Sequence, residues 1–114
     1  MQHDDIREFE LETTKGKINV RIMNLENAIM VFLTSHDRFR MGPSALAIPP
    51  GHGRTTSTSM DFFSGDLAPV IVRSLAERVA VWLGMRCMVI VSIKELDHAL
   101  MGEILKQLKG HLMI

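Results

Sequence analysis

The feature that most constrains this chain is a change of hydrophobic period partway along it. In residues 8–13, Phe9, Leu11 and Thr13 alternate with Glu8, Glu10 and Glu12, the period of two of a strand with one wet face. Thr14, Lys15, Gly16 and Lys17 supply a turn, with Gly16 free to take positive φ. Alternation then resumes with Ile18, Val20 and Ile22 against Asn19, Arg21 and Met23, so a hairpin is expected. Residues 28–33 are apolar throughout and predict a third strand covered on both faces. A polar loop over 35–42 follows, then a short strand over 45–48 stopped by Pro49 and Pro50. The Thr- and Ser-rich stretch 54–60 suits a fifth, edge-type strand.

The second half has helical period. Asp66 is placed to cap a helix with Pro69 in its first turn, and Gly84 to end it, giving a helix over 66–83. A sixth, apolar strand is expected at 88–93. A second helix over 95–110 puts Leu96, Leu100, Met101, Ile104, Leu105 and Leu108 on one stripe and Glu95, Asp97, Glu103, Lys106 and Gln107 opposite. The order is β-β-β-β-β-α-β-α. An α+β fold is expected, a largely antiparallel sheet of about six strands packed with two long helices, with residues 1–114 as one domain.

Composition narrows the function. Lys plus Arg equals Asp plus Glu, 13 each, so no net field is available to hold a phosphate backbone, and nucleic acid is not expected as a partner. The acidic, polar start lacks the apolar stretch of a signal peptide, and no apolar run approaches the roughly 20 residues that span a bilayer. The cytosol, or the nucleus in a eukaryote, is the expected compartment, without membrane contact. The single cysteine, Cys87, lies in an apolar run and reads as an inert core thiol.

Chemistry finds little purchase. The five histidines include His3, His36, His52, His98 and His111, and none has the i, i+4 spacing of a helical metal pair. Each reads as solvated surface. There is no Gly-x-Ser-x-Gly elbow. The Gly51-His52-Gly53 turn lacks the Gly-Lys-Ser/Thr ending that grips a triphosphate. No paired carboxylates sit in an apolar setting. Neither an enzyme nor a bound cofactor or metal is expected.

Protein binding is better supported. On the first helix, Val70 and Val81 fall inside the polar arc of Arg73, Ser74, Glu77 and Arg78. A helix apolar nearly all round is normally covered on both sides, here by another chain. The loop Arg38-Phe39-Arg40-Met41 sets an aromatic between two arginines beside a methionine, a mixture enriched at interfaces. Two roles stay open for Phe39: an anchor for a partner, or a plug over its own core. Nine methionines suit surfaces that repack against partners.

The succession of these elements resembles the small proteasome assembly chaperones, called chaperones 3 and 4 in eukaryotes, and their archaeal relatives. The strand over 28–34, the loop ending Phe39-Arg40-Met41-Gly42 and the strand 45–48 with Pro49 look like chaperone 3. The stretch 55–59, Thr-Thr-Ser-Thr-Ser, looks like chaperone 4. The helix carrying Leu75-Ala76-Glu77-Arg78, the strand at 88–93 and the closing amphipathic helix complete the likeness, which covers about residues 6–112. It implies a dimeric, non-enzymatic chaperone that binds a 20S proteasome α-subunit and helps the α-ring assemble. Because the chain mixes features of both halves of the eukaryotic heterodimer, a homodimer is the first choice and a heterodimer with a paralogue the second. It ends Leu112-Met113-Ile114 and has no tyrosine, so docking through the hydrophobic-Tyr-x tail of some proteasome chaperones is not expected.

Two other classes remain open. A roadblock- or profilin-type adaptor, scaffolding a GTPase complex or actin, shares the size and build, although a roadblock domain would usually open with a helix. A small hydrolase would need a deep pocket gathering a His, an acid and a Ser or Thr.

Overall fold

The computed structural model describes residues 5–50, 58–62 and 68–113, with side chains placed for all of these but 58–62, 68 and 69. Six strands and two helices follow in the expected order: β1 Ile6–Thr13, β2 Gly16–Asn24, β3 Ala28–Thr34, β4 Ser44–Ile48, β5 Thr58–Phe62, α1 Ala68–Leu83, β6 Arg86–Ser92 and α2 His98–Leu112. They form one mixed sheet, ordered β1-β2-β3-β6-β4-β5. Among the described strands, β3–β6 is the one parallel pair; β1–β2, β2–β3, β4–β5 and β4–β6 are antiparallel.

The first hairpin forms because period and turn agree. Gly16 takes φ 108° where the chain reverses, and Phe9 faces Val20 while Leu11 faces Ile18 across the pair. β6 inserts between β3 and β4, so the α1 crossover returns the chain to the middle of the sheet. α1 ends at Gly84, whose φ of 65° and N–H bond to the Ala80 carbonyl at 2.8 Å stop the helix. Pro69 lies in the first turn, where its missing N–H costs nothing. The proposed cap Asp66, the turn around His52 and His3 lie outside the described residues.

Both helices pack on one face of the sheet. One core joins Leu11, Ile18, Val20, Ile22, Ile29, Val31, Leu33, Val89 and Val91 to Val72, Leu75, Val79, Leu100, Ile104 and Leu108. Completely burying a Val or Leu side chain contributes roughly 1.5–3 kcal/mol, so these positions dominate stability. The core face of α1 is wide: Ile71, Ala76 and Ala80 are buried beside Val72, Leu75 and Val79.

Three expectations need correcting. β3 is not covered on both faces: Ile29, Val31 and Leu33 are buried, whereas Ala28, Met30 and Phe32 are half-buried on the side without helices. An apolar strand run there marks an apolar second face, not a second helical layer. α2 begins at His98, not at residue 95, because Asp97 takes extended φ/ψ and its side chain accepts from the Leu100 N–H at 2.8 Å. It also runs through Gly110 to Leu112, since an isolated glycine costs a helix only about 1 kcal/mol and Leu108 pins this turn to the core. Finally, His111 is not a solvated surface group: its ring stacks on Phe9.

Candidate functional site: the open sheet face and its loop

Strand register assembles an apolar band that no single segment displays. Ile6 pairs with Met23, Met23 with Met30, Met30 with Met88, and Leu46 with both Met88 and Met60. Side chains in one cross-strand row share a face, so Ile6, Met23, Met30, Met88 and Leu46 form a methionine-rich row across the sheet opposite the helices. Met23, Met30, Met88 and Leu46 are half-buried, and Ile6 is 40% exposed. Two residues along lies a second row, Glu8–Arg21–Phe32–Ile90–Ser44. Sequence reading missed this band because it depends on pairing: β6 meets β3 only after the α1 crossover.

The loop between β3 and β4 folds back over the second row. Phe39 meets Phe32 edge-on, with ring centroids 6.2 Å apart, and the Arg21 guanidinium lies over the Phe39 ring at 4.6 Å. Arg21 is itself held by Glu8, through Nη2 to Oε2 at 2.7 Å. Phe39 is therefore half-buried, with its ring resting on its own sheet face. Arg38, Arg40 and Met41 stay exposed, Met41 at 68%.

The loop is tied down at both ends. Thr34 is buried; its Oγ1 accepts the His36 N–H at 3.1 Å and lies 3.3 Å from the Ser92 carbonyl. Asn19 Nδ2 donates to the His36 carbonyl at 3.1 Å. At the exit, Val91 N–H donates to the Pro43 carbonyl at 2.9 Å, and Gly42 passes so close to the Val91 carbonyl that no Cβ fits there. Thr34, Asn19 and Gly42 are positioning residues with no motif to announce them.

Val70 and Val81 are 51% and 54% exposed, on the outer side of α1 with Arg73 and Arg78. They are far from the loop in sequence and on the opposite layer of the fold, so the structure does not unite the two sets of proposed contact residues. The wet side of α2 is partly engaged. Glu103 accepts from the Thr14 hydroxyl at 2.7 Å and its N–H at 3.0 Å, and Asp97 pairs with Lys15 at 2.7 Å. These contacts lower the pKa of both carboxylates and raise that of the Lys15 ammonium.

Among the described residues, the cleft lined by His36 contains Ser92 but no carboxylate, and the two lined by Glu8 and Asp37 contain no histidine. Among the described residues, no group of three His, Cys, Asp or Glu side chains could hold a metal ion, and no helix is long and apolar enough to cross a membrane. Cys87 is buried, and desolvation pushes its thiol pKa up to about 12.

The geometry defines an α+β domain with helices on one side and an apolar, loop-flanked sheet face on the other. No protein-family model and no curated protein matches the sequence. In structure, the chain is similar to a chain of a chaperone complex for yeast 20S proteasome assembly, with a TM-score of 0.68 at 12% identity. The alignment covers 95% of this chain and 98% of that one. The fold thus resembles that of a proteasome assembly chaperone.

Proposed function

We propose that this protein is a non-catalytic chaperone that binds a 20S proteasome α-subunit and promotes α-ring assembly, working in the cytoplasm as a dimer. The fold likeness, end to end on both chains, carries the reading. Its support within the chain is apolar surface outside the core: exposed Ile6, Met41, Val70 and Val81, and the half-buried methionine row opposite the helices.

The methionine-rich face is assigned to the dimer contact. The row from Ile6 to Leu46 crosses five strands. At about 4.8 Å per strand spacing this is roughly 20 Å wide, a scale suited to about 800 Å² of contact per partner. A twin is preferred to a paralogue because two copies of one thioether-rich face repack readily against each other. Arg38, Phe39, Arg40 and Met41 are assigned to the α-subunit; Val70 and Val81 on α1, on the opposite layer of the fold, are the alternative contact for it.

Co-expression with each α-subunit of the source organism, followed by purification of stoichiometric complexes, tests the reading. One α-subunit should co-purify and form rings faster in the chaperone's presence. Failure of every α-subunit to bind would overturn it.

A further inference from the structure

Between the β3–β4 loop and the connection from β6 to α2 lies a cleft of about 300 Å³. Its formally charged lining residues are Arg40, from the β3–β4 loop, and Lys94, from the β6–α2 connection, with His36 beside Arg40. Met41, Ile93 and Leu96 supply apolar surface beside them. No carboxylate lines it. The acids nearest in sequence line other clefts: Asp37 those with Glu8 and Phe39, and Glu95 the one with Lys15 and Leu100, which Lys94 borders as well. In a chain whose formal charges cancel, this leaves two cations and no carboxylate bordering a partly apolar cleft. Among the described residues Arg40 has no carboxylate partner; its Nη1 lies 3.3 Å from His36 Nε2.

The walls are already fixed. The His36 backbone is held by Thr34 and Asn19, Pro43 is bonded to Val91, and Lys94 N–H donates to Ser35 Oγ at 3.1 Å. Little ordering remains to oppose binding.

We infer that this cleft takes an acidic peptide segment of a partner protein, with a Glu or Asp carboxylate between Arg40 and Lys94 and an adjacent apolar side chain against Met41, Ile93 and Leu96. The inference rests on the protein-binding reading above only in taking its occupant from a partner. A nucleic-acid backbone fits poorly, because it would gain nothing from the apolar wall and meets no wider basic field. A free phosphate would likewise leave that wall unused.

The probe is a capped heptapeptide alternating Leu and Glu, titrated into the ¹⁵N-labelled full chain, with the Lys-for-Glu peptide and inorganic phosphate as controls. Saturable amide shifts are expected at residues 40–42 and 92–96 for the acidic peptide alone, weakening as salt rises. Each exposed charge pair contributes up to about 1 kcal/mol, so R40Q/K94Q together should weaken binding about tenfold or somewhat more. Both side chains are exposed, and the variant's own spectrum reports that it is folded. The inference is overturned by any of four results: no saturable shift, shifts elsewhere, equal binding of the basic peptide or phosphate, or unchanged affinity in the double variant. Parallel α-subunit binding separates the two ideas. Subunit binding without peptide binding removes the cleft and leaves the chaperone reading; the reverse leaves the cleft and removes the chaperone reading.

Discussion

The imidazole of His111, in the last turn of α2, lies flat on the ring of Phe9 in the edge strand β1, with centroids 3.9 Å apart and planes within 14°. The stack closes the outer corner of the core where the sheet runs out. It also gives a reason for α2 to continue past Gly110. His111→Ala should lower stability by about 0.5–1.5 kcal/mol and fray the last turn of α2. His111→Phe should restore most of the loss. Denaturant melts of the three proteins check this, and equal midpoints would show that the stack contributes nothing.

The hairpin tip and the start of α2 form an electrostatic clasp with a definite pH signature. The Lys15 hydrogen bond, then the Leu100 N–H, hold Asp97 below its ordinary 3.8, and the Thr14 hydroxyl and N–H hold Glu103 below 4.5. Depressed carboxylates contribute stability that is present above their unfolded values and lost as pH falls through the folded ones. Lys15, raised above 10.5 chiefly by its hydrogen bond to Asp97, contributes below that pH and loses its contribution as pH rises past the folded value. These groups are exposed, so the effect is small and screened by salt. The variant D97N/E103Q should melt lower than the parent at neutral pH, with the gap closing once pH drops well below 3.8. A gap independent of pH would refute the clasp.

Gly42 carries a prediction about the loop's seat. Alanine there would drive its Cβ into the Val91 carbonyl, and overpacking of this kind costs about 1–3 kcal/mol. Thermal melts should fall accordingly, with the Val91 amide losing hydrogen-exchange protection as its bond to Pro43 opens. Unchanged protection would mean that the loop relaxes freely and does not depend on this approach.

What could be read in advance follows the range of the interactions. The hairpin, both helices and the strand order along the chain were legible because Phe9, Leu11 and Thr13, or Leu100, Ile104 and Leu108, repeat over short distances. The apolar runs inside β3 and β6 were legible too, but their meaning was not. Continuous hydrophobicity is the same for a strand buried by two layers as for one facing helices on one side and open on the other. The methionine row needed the β3–β6 register, fixed across the α1 crossover, and the acid-free cleft needed to know which clefts Asp37 and Glu95 line. The Arg38-Phe39-Arg40-Met41 loop was visible as an interface-like composition, while its attachment to Arg21 and Phe32 was not.

That attachment shapes the prediction for Phe39. The Arg21 guanidinium lies over the ring and Phe32 meets it edge-on, yet the ring stays half-buried at the border of the open face. As a partner contact, Phe39 gains from this mounting: a ring already immobilised costs little further entropy on binding. Phe39→Ala should therefore weaken α-subunit binding by roughly 1–3 kcal/mol, in the hot-spot range. Its effect on folding should be smaller, since a half-buried ring loses less transfer free energy than a core one. Arg21→Met keeps much of the cover over the ring while removing the charge, and should leave binding closer to the parent than Phe39→Ala does. Arg38→Glu with Arg40→Glu should slow association and weaken its salt dependence, because rim charges act mainly on encounter. Binding kinetics measured beside thermal melts for these variants decide between the two roles. Lowered stability with unchanged affinity in Phe39→Ala would make the ring a plug for its own sheet, and the α-subunit contact would then fall to Val70 and Val81 on α1.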